Sequence, residues 1–328
     1  MPRKLLVATH GHCFDGMASA ALFVHLLRAL RGKSAPELRY KSFGYGPGLR
    51  MIPEAWLDGD ENAILDFRYT PSDRVNWYFD HHVTAFGSDA ERDAAIAGAL
   101  PADDPADGRR VFFDPTYSSC TKLIADVART TFGVDVSSLD ELTRWADVID
   151  AARFDSAEAA VDRTEPVLQL AGVIEHHGDT AFLANIMPTL LEQGLHDFAR
   201  GARVRKLWRP IAAANDAFRV RVAEKAVRMG RAVLVDLCDA QADVGVKFVT
   251  YALYPEAVYS VMLVRGRQHY KLSIGYNPWC GSQRDRDISS ICQRYGGGGH
   301  PTVGAATFPL SALDRAQEAA NAVARELA

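Results

Sequence analysis

No apolar run in this chain approaches the roughly 18 residues that a membrane-spanning helix needs, although 48% of its 328 residues are hydrophobic. The basic opening Met1-Pro2-Arg3-Lys4 leads into an apolar stretch too short for a signal peptide and without a cleavage pattern, so a cytoplasmic protein with no membrane partner is expected. Cysteine is scarce. Cys13, Cys120, Cys238, Cys280 and Cys292 are odd in number, lie far apart and show none of the short paired spacings of a structural zinc site, which predicts reduced thiols. An excess of positive charge is missing too. The formal net charge of −4 excludes a broad electrostatic grip on long duplex DNA, which is built from many phosphate neutralisations. It leaves room for a short anionic ligand held by local cations. No internal repeat or low-complexity tract occurs.

What the chain does have is length for two domains and a rhythm of strand and helix signals. Apolar runs at residues 5–9, 38–43, 63–67 and 75–79, with a helical pattern over 18–30, predict a mostly parallel sheet with helices on both faces. Helical spacing takes over at 118–153 and 165–226. Strand signals return at 232–237, 246–253, 258–264 and 269–276, followed by a helix at 287–295, a strand at 305–309 and a closing helix from Ser311. The expected class is α/β: a first domain over 1–200, a helical connector over 201–230 and a smaller α/β domain over 231–328, with the active site in the cleft between domains. Arg200, Arg203, Arg205, Lys206 and Arg209 surround Trp208 and read as a solvated helix face in preference to a phosphate patch.

Polar residues punctuate the strand ends. Asn76-Trp77-Tyr78-Phe79 runs straight into Asp80-His81-His82, at the kind of sheet edge where α/β folds place their sites. Thr9-His10-Gly11-His12-Cys13-Phe14-Asp15-Gly16 follows the first strand, Asp66 follows another, and Asp147 and Asp150 stand one helical turn apart further on. Oxygen and nitrogen donors on separate strand ends suit a two-metal centre, in which a shared carboxylate holds two divalent ions about 4 Å apart. Asp66 is well placed as that bridge. Near the end, Gly296-Gly297-Gly298-Gly299-His300 would let the backbone approach an anion closely. His176-His177 lacks a strand and a preceding Asp and reads as surface, while Trp279 and Cys280 either border a base site or simply pack.

Together these motifs resemble the DHH phosphoesterase family with a DHH-associated C-terminal domain of the first type, within the nanoRNase (oligoribonuclease) and RecJ-like superfamily. Asp80-His81-His82 matches its signature, Asp15-Gly16 with Ser19 the end of its first motif, and Asp66 its second. Asp150-Ala151-Ala152-Arg153-Phe154 resembles its fourth, with Asp147 as the competing ligand, and Gly297-Gly298-Gly299-His300 followed by Gly304-Ala305-Ala306 resembles its substrate motif. The resemblance implies one metal held by Asp15, Asp66, His81 and Asp150. The catalytic residues would be His82, beside the metals and touching phosphate or the metal-bound water, and Asp80, standing behind an imidazole and orienting it, while Gly297, Gly298, Gly299 and His300 would hold substrate phosphate. Arg265, Arg267, Lys271 and Asn277 are further phosphate candidates, because the strand Lys271-Leu272-Ser273-Ile274-Gly275 carries glycine where the family often has arginine.

One departure concerns the first motif, whose usual His and Asp positions fall on Thr9 and Cys13. His10, His12 and Cys13 are then the candidate ligands of the other metal, or Cys13 is a buried filler and that position is weak. Two divalent ions are implied, manganese foremost, with zinc or iron admitted by Cys13 and His12. The implied activity is hydrolysis of phosphodiester bonds in short RNA or small nucleotides by metal-activated water. Exopolyphosphatase, cyclic-dinucleotide phosphodiesterase and hydrolysis of the 3′-phosphate of adenosine bisphosphates are rivals within that chemistry. A catalytically impaired nucleotide-binding sensor is the rival outside it, and a homodimer is allowed.

Overall fold

A computed structural model describes residues 3–32, 35–44, 51–101, 108–242 and 248–328 of the chain. In chain order the first part runs β1 (Lys4–His10), α1 (Phe14–Arg31), β2 (Glu37–Phe43), β3 (Glu61–Leu65), β4 (Trp77–Asp80), α2 (Asp89–Ala97), β5 (Arg110–Phe113), α3 (Cys120–Thr130) and α4 (Asp140–Asp150). Helices α5 (Ala157–Val161), α6 (Pro166–His177), α7 (Thr180–Gln193), α8 (Leu195–Ala199) and α9 (Ala202–Lys225) follow. The chain closes with β6 (Ala226–Met229), β7 (Ala232–Gln241), α10 (Val249–Leu253), β8 (Tyr259–Arg265), β9 (His269–Tyr276), α11 (Ile288–Gln293), β10 (Gly298–His300), β11 (Val303–Pro309) and α12 (Leu313–Leu327). It divides into two compact units, Met1–Arg153 with Thr164–Trp208, and Phe154–Arg163 with Arg209–Ala328. Among the described residues no helix is long and apolar enough to cross a membrane.

The first unit is built on a five-stranded sheet of order β2-β1-β3-β4-β5 in which every pairing is parallel. Parallel strands must be covered on both faces, which is why β1 carries the run Leu5–Ala8 and every residue of β3, Glu61 and Asn62 included, is buried. On one face α1 is buried from Phe14 to Val24, and Phe23 meets the rings of Trp77 and Phe79 edge-on at 5.6 and 5.9 Å. The other face packs Leu6, Ile64 and Tyr78 against Phe67, Tyr69, Phe86 and, from α2, Ala95. In this strand order the connections leave β1 and β3 in opposite directions, which opens a crevice at their carboxyl ends. Strand β1 ends in His10, β3 runs into Asp66 and β4 ends in Asp80, so three of the polar motifs share that edge.

The second unit carries a six-stranded mixed sheet of order β10-β11-β9-β8-β7-β6, parallel only between β7 and β8. Helix α12 lays Ala316, Ala320, Val323 and Leu327 on one face, and α11 adds Ile288, Ile291 and Cys292. Phe218 and Val222 of α9 and Val249 of α10 cover the other through Val233, Val235 and Val264.

Three strands escape the sequence patterning. Strand β5 has four residues, β6 begins where α9 stops, with no turn residue between Lys225 and Ala226, and β10 is three residues long and lies inside the glycine run. The strand expected over 246–253 is corrected: residues 246–247 lie outside the described residues, and Val249–Leu253 is a helix. Short apolar runs carry no decisive period, and here Phe248 turns the chain at φ 67° so that one helical turn buries Val249, Thr250 and Tyr251. In the basic stretch, Arg203, Arg205, Lys206 and Arg209 are exposed while Val204, Trp208 and Ile211 form the buried stripe of α9.

Candidate metal centre

Asp66 is the anchor. It follows β3 in the left-handed backbone region, φ 55°, a conformation that costs an ordinary residue on the order of 1 kcal/mol or more and persists only where the surroundings enforce it. Its own N–H donates to the carbonyl of Phe79 at 2.9 Å, which fixes the turn. The carboxylate is 1% exposed. The Cys13 thiol is its one weak hydrogen-bonding neighbour, and by ordinary geometry neither Oδ1 nor Oδ2 has a partner. Burial pushes its pKa well above the usual carboxylate range, and repulsion from Asp15, Asp150 and Asp80 pushes it further.

Around it the other donors converge, each held from behind. His81 Nδ1 lies 3.1 Å from the Tyr117 carbonyl and donates to it, which leaves Nε2 bare. That nitrogen is buried without a hydrogen-bond partner and faces Asp150 at 3.4 Å, Asp66 at 3.7 Å and Asp15 at 3.9 Å. The Asp15 carboxylate sits on the N-terminus of α3, accepting from the backbone N–H groups of Cys120 at 2.7 Å and Thr121 at 3.0 Å, and from the Thr121 hydroxyl at 2.5 Å. Helix N-termini favour negative charge at this position. Asp80 Oδ1 accepts from the backbone of His81 and His82 and from His82 Nδ1 at 2.7 Å, while Oδ2 accepts from the Tyr78 hydroxyl at 3.0 Å. Burial pulls the His82 pKa down, but the Asp80 hydrogen bond and the carboxylates of Asp80, Asp150 and Asp15 outweigh it and leave the value raised. His10 Nδ1 is 3.6 Å from Asp66 Oδ2, and burial together with His82 lowers its pKa.

The structure gathers some expected residues and leaves others out. Donor atoms of Asp15, His81 and Asp150 lie within 4.8 Å of one another, as do those of His10, Cys13 and Asp66, and those of Asp66, Asp80, His81 and His82. Asp147 is instead engaged by Arg153 at 3.2 Å, Lys122 at 3.8 Å and the Ser118 hydroxyl. His12, at φ 55°, turns its Nδ1 to the Glu175 carbonyl of α6 at 3.1 Å and lies outside these groups. The amides of Cys120 and Thr121 and the carbonyl of Tyr117 were not anticipated. Their only sequence signal is Ser119, the N-cap of α3.

In the second unit His300 is exposed at the end of β10, and Arg265 is exposed at the end of β8. Lys271 alternates along β9 with the buried Tyr270 and Leu272. Asn277 is corrected as a phosphate contact: it is fully buried, both amide hydrogens go to the carbonyls of Pro255 and Ala257, and Oδ1 accepts from Trp279. Trp279 packs, donating to the Phe154 carbonyl at 2.7 Å and meeting Phe248 edge-on. At Gly275 a Cβ would come within 2.6 Å of the Tyr251 hydroxyl, which explains why this strand carries no arginine there. Gly297 and Gly299 have a packing reason, since a Cβ on either would overlap the carbonyl of Ala305 or Val303, whereas Gly298 faces open space.

These residues fit a divalent metal centre. Buried, unpartnered carboxylate oxygens opposite a bare buried imidazole nitrogen are costly, because an uncompensated buried charge costs about 3–5 kcal/mol, and a cation between them removes that cost. In the metal-free chain the raised Asp66 pKa means that its contribution to stability is present below the ordinary carboxylate range and lost as pH rises through the raised value. Manganese at a hundred times its dissociation constant should add about 2.7 kcal/mol, or about 5–10 °C in Tm, at pH 8. The gain should shrink markedly at pH 5, where protons compete for the ligands. Thermal melts with manganese and with chelator at both pH values check this, and an equal gain at both would contradict it.

No family model and no curated protein sequence matches the chain. Solved structures do. A pGpG-specific phosphodiesterase from Vibrio cholerae, PggH, superposes with a TM-score of 0.65 at 16% identity, covering 99% of this chain and 100% of that one. The DHH domain of a member of the s1p family of ribosomal proteins gives 0.63 at 14%, covering 99% and 87%. RecJ from Thermus thermophilus in complex with Mn2+ gives 0.57 at 12%, covering all of this chain and 53% of that longer one. The class defined by the parallel sheet and its edge is an α/β protein with a carboxylate and imidazole cluster at the switch point. Its particular fold is that of the DHH-domain proteins.

Proposed function

We propose that this chain is a DHH-type phosphoesterase that binds two divalent ions in its first unit and hydrolyses phosphodiester bonds of short oligonucleotides or small nucleotides. The observation that carries this reading is Asp66, whose two buried oxygens face His10 on one side and His81 on the other. Such ions, when bound, supply charge at the phosphoryl oxygens and a water that ionises near neutral pH. The chain's own part is positioning. Tyr117 and the α3 amides lock His81 and Asp15, and Asp80 locks the His82 ring. His82, 39% exposed and with a raised pKa, is the group best placed to meet a phosphate oxygen as a cation. The full-length likeness to PggH supports a small nucleotide over a long strand.

Turnover of RNA of two to five nucleotides, of a cyclic dinucleotide, of polyphosphate and of long single-stranded DNA, each with manganese, tests the proposal. The short linear RNA should be hydrolysed at least about tenfold faster than the rest, a difference of roughly 1.4 kcal/mol in barrier. Nucleotide binding without hydrolysis of any of them would favour the sensor reading. In the second unit we assign His300 and the backbone at Gly298 to substrate phosphate. His300→Ala should lower kcat/KM by about a hundredfold with metal content unchanged, and Gly298→Ala, which meets no protein atom, should weaken substrate while leaving Tm alone. Wild-type kinetics in both variants would remove the assignment.

A further inference from the structure

The two ligand groups that share the neighbourhood of Asp66 differ in chemistry. Asp15, His81 and Asp150 offer two carboxylates and an imidazole, a hard, oxygen-rich set suited to manganese or magnesium. His10, Cys13 and Asp66 offer an imidazole, a thiol and a carboxylate within 4.8 Å of one another. Three protein donors with one position left open is the composition of catalytic zinc sites. Cys13 is not placed as an apolar filler would be. It occupies the N-cap position of α1 with no side-chain capping bond, and its sulfur lies within 4.8 Å of donor atoms of His10 and Asp66. The second, independent sign of a ligand is Asp66 itself, 99% buried, its oxygens unpartnered apart from that weak thiol. Cys120, the other thiol near the cluster, points elsewhere, with Sγ 3.3 Å from the Phe79 carbonyl.

Resting on the metal-centre reading above, we infer that His10, Cys13 and Asp66 form a thiolate site that selects a thiophilic divalent ion, zinc or ferrous iron, beside an oxygen-rich site that takes manganese or magnesium. The pair is chemically asymmetric. Soft sulfur discriminates between divalent ions far more than carboxylate or imidazole does, so each site should fill with a different metal when both are offered.

Cobalt(II) is the probe, because thiolate bound to cobalt gives an intense near-ultraviolet charge-transfer band that nitrogen and oxygen ligands do not give. The full-length, metal-free protein is titrated with cobalt under reducing, anaerobic conditions, and bound metal is counted by elemental analysis. The wild-type protein should develop the band, saturating at one ion per chain, and zinc should abolish it at concentrations at least a hundredfold below those of manganese. Cys13→Ser should lose the band while still binding cobalt, Cys120→Ser should keep it, and Cys13→Asp should cut the preference for zinc over manganese at least tenfold. Cobalt bound by the wild-type chain without the band would overturn the inference and leave the phosphoesterase reading standing, as would a band that survives in Cys13→Ser. A wild-type chain that binds no divalent ion would end both. The wild-type spectrum needs no variant to fold.

Discussion

Asp66→Asn should lower hydrolysis by about a thousandfold, close to 4 kcal/mol in barrier, and should strip the protein of most of its metal. A neutral amide cannot hold together the two cations proposed above, because its NH2 donates hydrogen bonds and offers no lone pair where a carboxylate oxygen would ligate. The stability change should run the other way. In the metal-free wild type Asp66 is an almost fully buried carboxylate whose pKa is raised by burial and by three neighbouring carboxylates, so removing its charge relieves a cost present at neutral pH. The metal-free variant should therefore melt no lower than the metal-free wild type at pH 7.5, and manganese should leave its Tm unchanged. A variant that retains two ions and wild-type turnover would show that Asp66 is not the bridge.

Gly16→Ala should be the most damaging small substitution in the first unit. A Cβ there would overlap the carbonyl oxygen of His10 and come within 3.0 Å of its carbon, both backbone atoms that cannot rotate away. The first turn of α1 also accepts the Thr9 hydroxyl at the Gly16 carbonyl, 2.7 Å, so helix and strand are pinned where the clash falls. Overpacking of this kind costs about 1–3 kcal/mol and more where backbone must shift. Because His10, Cys13 and Asp15 flank the contact, the shift moves ligands of both proposed sites together. Loss of at least one bound ion and a Tm drop of about 5 °C or more are expected, against no change in Gly44→Ala, where a Cβ meets nothing. A variant with unchanged metal content and Tm would mean that the α1 start is not a rigid part of the centre.

The polar edge of the first sheet was legible in the sequence because the apolar residues of β1, β3 and β4 stop abruptly at His10, Asp66 and Asp80, and an apolar strand with a polar terminus is a local signal. The choice between Asp147 and Asp150 was not, since both project from α4 and only Arg153, Lys122 and Ser118 separate them. His12 illustrates the same limit: one residue from Cys13 in sequence, it is drawn to the Glu175 carbonyl by a contact 163 positions away. Helix α10 was misread for a related reason, as burial by α9 and the second sheet decided between helix and strand where the apolar run could not. The glycine run looked like one ligand loop, yet Gly297 and Gly299 answer to hairpin packing, Gly296 turns the chain at φ 75°, and Gly298 combines open space with an ordinary φ.

Anomalous diffraction from crystals of the full chain soaked in manganese decides whether the Asp66 cluster binds divalent metal. Anomalous density is expected in contact with the Asp66 carboxylate, on the side of His81, Asp15 and Asp150, and absent from Asp66→Asn crystals treated alike. Saturating manganese with no density at Asp66, or density held only by carboxylates outside the cluster such as Asp147, would contradict metal binding there.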